Sequence, residues 1–418
     1  MPLACKAHTF VLAGGNGSRL SPLTERQCKP ALPFGANHRV IDFVLGSLHA
    51  SGAPQVDVLV QFQPEGLVEH VRQMWRHALP GFTAGHAFAE TVGPGTARFR
   101  GTADAVARNL GRVAADAEVV LVFGADHVYR MDVAQMVDFH RASGAEVTIA
   151  TLPVPLAEAS AFGILEVESE GRVRSFREKP PRARVPAIPG QDGLALASMG
   201  NYVFSADVLR RELARCSAAE TDFGQHLLPR LIAELRVMAY DFRRESAPPG
   251  AAPPAPAAAS GAARDAAAPP YWRDVGTLAA YFDAHMDTLG APPLFEPEAV
   301  AGPLLRPEAP PAQVLDSQTE AARIGAGAQV QRAHLQRAVI GRGARIDEGA
   351  VVEHSIVFPG VHIGSQARIR HAIVAEDNAI PPRERIGWDL EADRRRFPVT
   401  PDGLVVVPPS HFAAPRPN

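Results

Sequence analysis

The sequence predicts an α/β fold with a Rossmann-like, mainly parallel sheet, followed by a left-handed parallel β-helix of hexapeptide repeats. Three observations carry this prediction. Apolar strand-like runs alternate with helix-like stretches from residue 9 to about 245. A glycine-rich segment follows the first of these runs directly, and an aliphatic residue recurs every six positions near the C-terminus.

The strand-like runs are short and almost wholly apolar, which is typical of strands buried on both faces of a parallel sheet. They lie at 56–60, 119–123 and 146–150, and helix-like stretches such as 67–75 and 103–114 separate them. Ligands bind at the carboxyl ends of the strands in sheets of this kind. We therefore expect the functional residues to follow these runs in the sequence.

Composition divides the chain into two predicted domains. Residues 1–290 form the first, with an insertion at 246–270 that consists almost entirely of Ala, Pro and Gly. A proline-rich connector follows at 291–316, and residues 317–418 form the β-helix and a C-terminal tail. The repeat recurs at 324–330, 340–346 and 363–369. Because such solenoids stack between subunits, we expect a homo-oligomer, with a homotetramer as the specific prediction.

Charge and cysteine usage exclude several classes of partner. The 418 residues carry a net charge of −3, which argues against a nucleic-acid partner. Cys5, Cys28 and Cys216 lack metal-ligand spacing and suit a reducing compartment. No signal peptide and no run of roughly 18 apolar residues is present. We expect a cytoplasmic protein that does not contact a membrane.

The glycine-rich segment Leu12-Ala13-Gly14-Gly15-Asn16-Gly17-Ser18-Arg19-Leu20 predicts a polyphosphate site. Glycines let backbone N–H groups approach an anion, and Arg19 and Lys29 add positive charge. No Gly-Lys-Ser/Thr closes the segment, and Leu20 stands where a dinucleotide fingerprint has its third glycine. A nucleoside triphosphate held by a different loop fits best, and an ordinary strand-to-helix turn is the alternative.

Four further segments carry candidate chemistry. Gly101-Thr102 offers free N–H groups at a helix start, or is merely a helix N-cap. Asp126 follows a buried strand, where a carboxylate can hold Mg²⁺ or cap the next helix. Glu178-Lys179 can bind sugar hydroxyls and a phosphate, or form a solvated surface pair. Asp274 can supply a second carboxylate to the same ion, or lie in a packed loop.

Taken together, these segments resemble the bacterial ADP-glucose pyrophosphorylases (glucose-1-phosphate adenylyltransferases), a branch of the sugar nucleotidyltransferases. The resemblance covers nearly the whole chain. It rests on the following segments: LAGGNGSRL at 12–20, KPALPFG at 29–35, RVIDFVL at 39–45, GTADAV at 101–106, DHVY at 126–129, PVPLAEASAFGIL at 153–165, EKP at 178–180, ASMGNYVF at 197–204, TDFG at 221–224 and YWRDVGT at 271–277.

The resemblance implies a nucleotidyltransferase domain of GT-A-like fold, Mg²⁺ as cofactor, and ATP and glucose 1-phosphate as substrates for glycogen biosynthesis. It assigns catalysis to Arg19, Lys29, Asp126, Lys179 and Asp274. The ATP site would comprise Leu12, Gly14, Gly15, Gly17, Arg19, Lys29, Gln61, Gly101 and Thr102. Glucose 1-phosphate would contact Glu178, Lys179, Ser198 and Asp274, and Asp126 and Asp274 would hold the metal.

Some positions depart from the family pattern. Asn16 replaces a basic residue, Phe99 an aromatic hydroxyl and Ala125 the glycine before the metal-binding aspartate. Sugar-phosphate or nucleotide effectors are expected near Arg26, Arg39 and Arg395, where a solvated charged face is the alternative. Two rival functions stay open: a related enzyme with another nucleotide or sugar phosphate, and a non-catalytic regulatory subunit.

Overall fold

The computed structural model describes residues 3, 5–75, 98–244, 271–301 and 309–413. The predicted insertion at 246–270, residues 302–308 of the predicted connector and the last five residues lie outside the described residues. None of the helices in the described part of the chain has the length and apolar character that a membrane span needs.

The first domain is built on one mixed sheet with two small ribbons beside it. Its strands are β1 (Ala7–Ala13), β2 (Pro33–Phe34), β3 (His38–Arg39), β4 (Val56–Val60), β5 (Val119–Gly124), β6 (His127–Tyr129), β7 (Val147–Pro155), β8 (Gly163–Val167), β9 (Val173–Glu178), β10 (Leu194–Ser205), β11 (Val237–Asp241) and β12 (Trp272–Asp274). The sheet order is β11-β7-β10-β5-β1-β4. Only β10 runs against the other five strands of this path, so the prediction of a mainly parallel sheet is confirmed.

Helices cover both faces of this sheet. The helices of the described residues are α1 (Ile41–Ala50), α2 (Glu65–Trp75), α3 (Thr102–Asn109), α4 (Val133–Ala142), α5 (Ala206–Ala214), α6 (Leu228–Glu234), α7 (Leu278–Met286), α8 (Pro297–Ala301) and α9 (Leu390–Arg394). The last of them, α9, belongs to the second domain. Phe10 packs into the hydrophobic core on one face, and the next residue, Val11, packs into the core on the other. Side chains alternate along a strand and both faces are covered, so nearly every strand residue is buried, which explains the almost wholly apolar runs.

The second domain is a parallel β-helix, as the six-residue repeat predicts. Its strands are β13 (Gln313–Leu315), β14 (Gln318–Glu320), β15 (Arg323–Ile324), β16 (Gln329–Gln331), β17 (His334–Ile340), β18 (Arg345–Ile346), β19 (Val351–Val357), β20 (His362–Ile363), β21 (Arg368–Arg370), β22 (Ala372–Val374), β23 (Ala379–Ile380), β24 (Arg385–Ile386) and β25 (Val405–Val407). The ladders β13-β16-β18-β20-β23 and β14-β17-β19-β21-β24 form two of its faces. The aliphatic residue of each repeat points inward: Val330, Ile346 and Ile363 are fully buried and stack in register.

One hydrophobic core runs from the β-helix into the first domain. Phe282 of α7 is 2 % exposed and packs edge-on against the rings of His354 and His371 of the β-helix. Phe34 and Leu20 belong to the same cluster of buried side chains. The β-helix therefore supports the segment that carries the glycine-rich loop, because both are anchored in the same core.

Candidate active site

The glycine-rich loop lies where the fold predicts a ligand site, at the carboxyl ends of three adjacent parallel strands. β1 ends at Ala13 and leads into the loop, β4 ends just before Gln61, and β5 ends just before Ala125 and Asp126. The Ala125 N–H donates to the carbonyl oxygen of Leu12, which ties the loop to the aspartate segment. Residues distant in sequence thus meet at one edge of the sheet.

Lys29 lies at the centre of this edge and joins two carboxylates. Its Nζ donates to Asp126 Oδ2 at 3.2 Å and to Asp274 Oδ1 at 3.1 Å. The lysine side chain is only 7 % exposed, whereas that of Asp126 is 46 % exposed. A buried ammonium group requires such partners, and the two carboxylates supply them.

The β12–β6 ribbon brings Asp274 to this place. The two strands pair antiparallel, and Asp274 is the register partner of His127, the residue next to Asp126. At Gly276 the backbone lies close to the side chains of Asp274 and Arg19. A Cβ there would lie 2.8 Å from both oxygens of Asp274 and 2.9 Å from Arg19 Nη2. Glycine at this position therefore allows the Arg19 guanidinium to approach the Asp274 carboxylate.

Asp126, His127 and Asp274 form a ligand set that fits a divalent cation. Each offers one ligand atom, and these atoms lie within 4.8 Å of one another. Burial raises the pKa of Asp126, but the charges of His127 and Lys29 outweigh it and hold that pKa well below its usual range. Ionised carboxylate oxygens are the ligands that Mg²⁺ prefers.

A second group of predicted residues includes Glu178 and Lys179. The Glu178 carboxylate lies against Gly224, where a Cβ would come within 2.6 Å of Oε2. Lys179 Nζ lies 3.1 Å from Glu178 Oε1, and its side chain is 60 % exposed. The hydroxyl of Ser198 accepts the Gly200 N–H at 3.1 Å, within an irregularity of β10. An exposed ammonium beside a carboxylate is suited to a phosphorylated sugar.

Two residues that the sequence analysis did not select belong to the same neighbourhood. Tyr202 is hydrogen-bonded to Ser198, and its burial raises the pKa of its hydroxyl, with Glu178, Asp222 and Asp126 adding to the effect. Asp222 also lies beside Gly224. Tyr202 is therefore within electrostatic range of Glu178 and Asp126. A sequence signal existed, since both residues lie within segments that carried the family resemblance.

The predicted nucleotide-recognition residues meet on the other side of the loop. Gly14 adjoins Gln61, whose Oε1 accepts the N–H of Phe99 at 2.6 Å. Gly101 directly precedes α3, and Thr102 begins it. The Thr102 hydroxyl donates to Asp222 at 2.9 Å and accepts the N–H of Phe223 at 3.0 Å. Thr102 thus connects this region to the Glu178 group, and its role in binding stays a prediction.

The departures from the family pattern have local explanations. The Ala125 methyl is fully buried in the core under α1 and does not enter the site. The backbone comes close to the Asp126 carboxylate one residue earlier, at Gly124, where a Cβ would lie 3.1 Å from Oδ1. Asn16 Oδ1 accepts the N–H of Ser18 at 3.4 Å and so shapes the loop itself. The ring of Phe99 is buried.

The three arginines expected at an effector site have different surroundings. Arg26 donates to Ser410 at 2.7 Å and to Asp377 at 3.4 Å, so it bridges the two domains. Arg39 donates to the carbonyl oxygen of Ala31 at 3.2 Å, and burial lowers its pKa. Arg395 directly follows α9 as its C-cap residue, in the second domain. Their function stays a prediction.

Comparisons with known proteins agree with this geometry. The family profile described as nucleotidyl transferase matches residues 8–290, and the one described as GlmU-like, C-terminal hexapeptide matches residues 310–407. Proteins named glucose-1-phosphate adenylyltransferase are similar over most of the chain. The relative from Thermus thermophilus is 40 % identical over 96 % of this chain and 97 % of its own. The relative from Anaeromyxobacter is 39 % identical over 96 % and 98 %.

The mainly parallel sheet, with a glycine-rich loop and Asp126 at the carboxyl ends of neighbouring strands, and the family profile over residues 8–290 define a nucleotidyltransferase. The chain belongs to the glucose-1-phosphate adenylyltransferase family. The resemblance seen in the sequence motifs is thereby confirmed, and the rival of a different nucleotidyltransferase specificity is not favoured.

Proposed function

We propose that this protein transfers the adenylyl group of ATP to glucose 1-phosphate, giving ADP-glucose for glycogen synthesis and pyrophosphate, with Mg²⁺ as its metal. The observation that carries the proposal is that Asp126 and Asp274 both accept hydrogen bonds from Lys29 beside the glycine-rich loop. A triphosphate at that loop would face the two carboxylates, and Lys179 would bind the second substrate.

The chemistry requires charge neutralisation rather than a general base. A phosphate oxygen of glucose 1-phosphate is already an anion at neutral pH, and it attacks the α-phosphorus of ATP. The bond from that phosphorus to the bridging oxygen breaks, and the electron pair leaves with pyrophosphate. Arg19 and Lys29 counter the charge of the triphosphate, and Lys179 counters that of the sugar phosphate. Mg²⁺ bound by Asp126 and Asp274 would supply further charge neutralisation.

The remaining residues would orient the substrates. Backbone N–H groups of the loop hold phosphate oxygens, and the hydroxyls of glucose face Glu178 and Ser198. The residues proposed for the nucleotide are Leu12, Gly14, Gly15, Gly17, Gln61, Gly101 and Thr102. Holding two polyanions at reacting distance is itself a large part of the rate enhancement in such reactions.

A nucleotide screen tests this proposal. The purified protein is incubated with glucose 1-phosphate, Mg²⁺ and, in turn, ATP, UTP, dTTP or GTP, and pyrophosphate release is measured. We expect turnover with ATP well above that with the others. Preference for another nucleotide would overturn the substrate assignment. Absence of turnover with all four, together with binding to an active partner subunit, would support a non-catalytic subunit instead.

We also propose a homotetramer and a phosphorylated effector at the domain junction. The first coil of the β-helix leaves Val314 and Leu315 41 % and 55 % exposed on β13, which supports subunit contacts through this end. Arg26 and Arg39 support an anionic effector because both adjoin the interdomain boundary. Sedimentation and activity measurements with and without sugar phosphates test these two points.

A further inference from the structure

The outer face of the β-helix carries a compact group of arginines at its C-terminal end. Arg368 and Arg370 are the exposed residues of β21, and Arg385 is the exposed residue of β24. Arg368 and Arg385 are register partners on these parallel strands. Neighbouring strands lie roughly 4.8 Å apart, so two guanidinium groups occupy adjacent positions in the ladder. Like charges placed directly opposite in this way destabilise a sheet.

All three arginines surround one tryptophan. The guanidinium carbons of Arg370, Arg385 and Arg368 lie 5.3, 5.6 and 6.0 Å from the ring centroid of Trp388. In the part of the chain that the structure describes, none of the three has a carboxylate within ion-pair distance. Glu384, beside Arg385, is instead 2.9 Å from Arg396. The indole ring thus holds the guanidinium groups together without neutralising them.

Trp388 is held firmly relative to the strand that carries Arg370. The preceding residue, Gly387, has a positive φ of 82°, and a Cβ there would lie only 1.7 Å from the carbonyl oxygen of Arg370. Its N–H donates to Asp393 at 2.8 Å. The indole Nε1 is buried and has no hydrogen-bond acceptor within the described residues. The patch is therefore preorganised and retains unneutralised charge.

We propose that Trp388 and its three arginines form a binding site for a phosphate-class anion with two or more negative charges. Guanidinium forks bind oxyanions in bidentate fashion, and a preformed group of them loses little side-chain entropy on binding. The ligand relieves the repulsion between Arg368 and Arg385. The patch spans only two coils, which fits a small anion rather than a nucleic acid. The proposal does not depend on the reaction assigned to the first domain.

Tryptophan fluorescence of the full-length protein, titrated with inorganic phosphate and then with pyrophosphate, tests the proposal. The chain has three tryptophans, so a W388F variant measures the contribution of Trp75 and Trp272. We expect a saturable change that is lost in W388F. The double variant R368Q/R385Q should bind at least about tenfold more weakly, because it loses two charge-assisted forks.

The matched control is R172Q/R174Q, which removes two exposed arginines of the first domain and should bind as the unmodified protein does. R368K/R385K keeps the charge without the forks and should give an intermediate affinity. Circular dichroism checks that each variant is folded. The proposal is overturned if no saturable change occurs, if R368Q/R385Q binds as tightly as the control, or if R368Q/R385Q instead lowers the oligomeric state, which would make the patch a subunit contact.

Discussion

Replacing Lys29 with methionine tests the electrostatic arrangement at the centre of the site. Methionine retains an unbranched apolar side chain but lacks the charge. The substitution removes the two hydrogen bonds of Nζ, at 3.2 Å to Asp126 and 3.1 Å to Asp274. It leaves two carboxylates facing each other without the cation that separates them.

The cost to the metal-free protein follows from the exposure of each partner. The bond to Asp274, whose side chain is 15 % exposed, contributes roughly 1.5–3 kcal/mol. The bond to Asp126, whose side chain is 46 % exposed, is screened by water and contributes roughly 0–1 kcal/mol. We therefore expect the free energy of unfolding to fall by about 1.5–4 kcal/mol, seen as a lower Tm.

The same substitution should strengthen binding of a divalent cation. Mg²⁺ held by both carboxylates at its usual distance would lie within roughly 5 Å of Nζ. At an effective dielectric constant of about 20 the repulsion at that separation is roughly 6–7 kcal/mol. Even a fifth of this changes a Kd about tenfold. Turnover should fall by about 10²–10³, as when one charge-stabilising group is removed from an active site.

Thermal unfolding as a function of Mg²⁺ concentration measures both effects, and pyrophosphate release measures turnover. The Mg²⁺ concentration for half-maximal stabilisation should fall at least about tenfold in K29M. Lys6→Met is the matched control, because Lys6 pairs with Asp116 at an exposed position, where its side chain is 67 % exposed. An unchanged or higher Mg²⁺ midpoint in K29M, or turnover near that of the unmodified protein, refutes the reasoning.

Four further outcomes are expected. Asp126→Asn should lose most of kcat with little change in Tm, since its side chain is half-exposed; near-normal pyrophosphate release would contradict its role as a metal ligand. Lys179→Ala should chiefly raise KM for glucose 1-phosphate; a raised KM for ATP alone would move Lys179 to the other substrate. Asp42→Asn should destabilise the fold by about 3 kcal/mol in thermal or urea unfolding, because this fully buried carboxylate accepts three hydrogen bonds, and an unchanged Tm would count against that account. Burial lowers the pKa of His140 and of His285 to about 4, whereas a histidine in the unfolded chain has a pKa of about 6.5. The unfolded chain therefore takes up protons first as the pH falls, and the free energy of unfolding should drop between about pH 6.5 and pH 4. In H285Q the slope of Tm against pH should be shallower, and an identical slope would rule His285 out as a contributor.

Much of the fold could be predicted because its signals are local. The buried runs that became β4 and β5 are apolar apart from Asp57, since helices cover both faces of the sheet. The inward aliphatics of the β-helix repeat every six residues because each face of a coil takes one. The contact between the domains had no such signal. Phe282 packs against His354 and His371 because of its position on α7, and an amphipathic helix pattern does not specify its partner.

By itself, the sequence determined the class of site: glycines after a buried strand, a few basic residues and two aspartates are the groups that a nucleotidyl transfer needs. Only the tertiary structure decided how they meet. Asp274 reaches Asp126 because β12 pairs with β6, and Lys29 is buried between them. The structure also shows that the backbone comes close to the Asp126 carboxylate at Gly124, and that the methyl group of Ala125 is buried in the core. Strand pairing and packing between distant segments decide these points, and no local pattern in the chain records them.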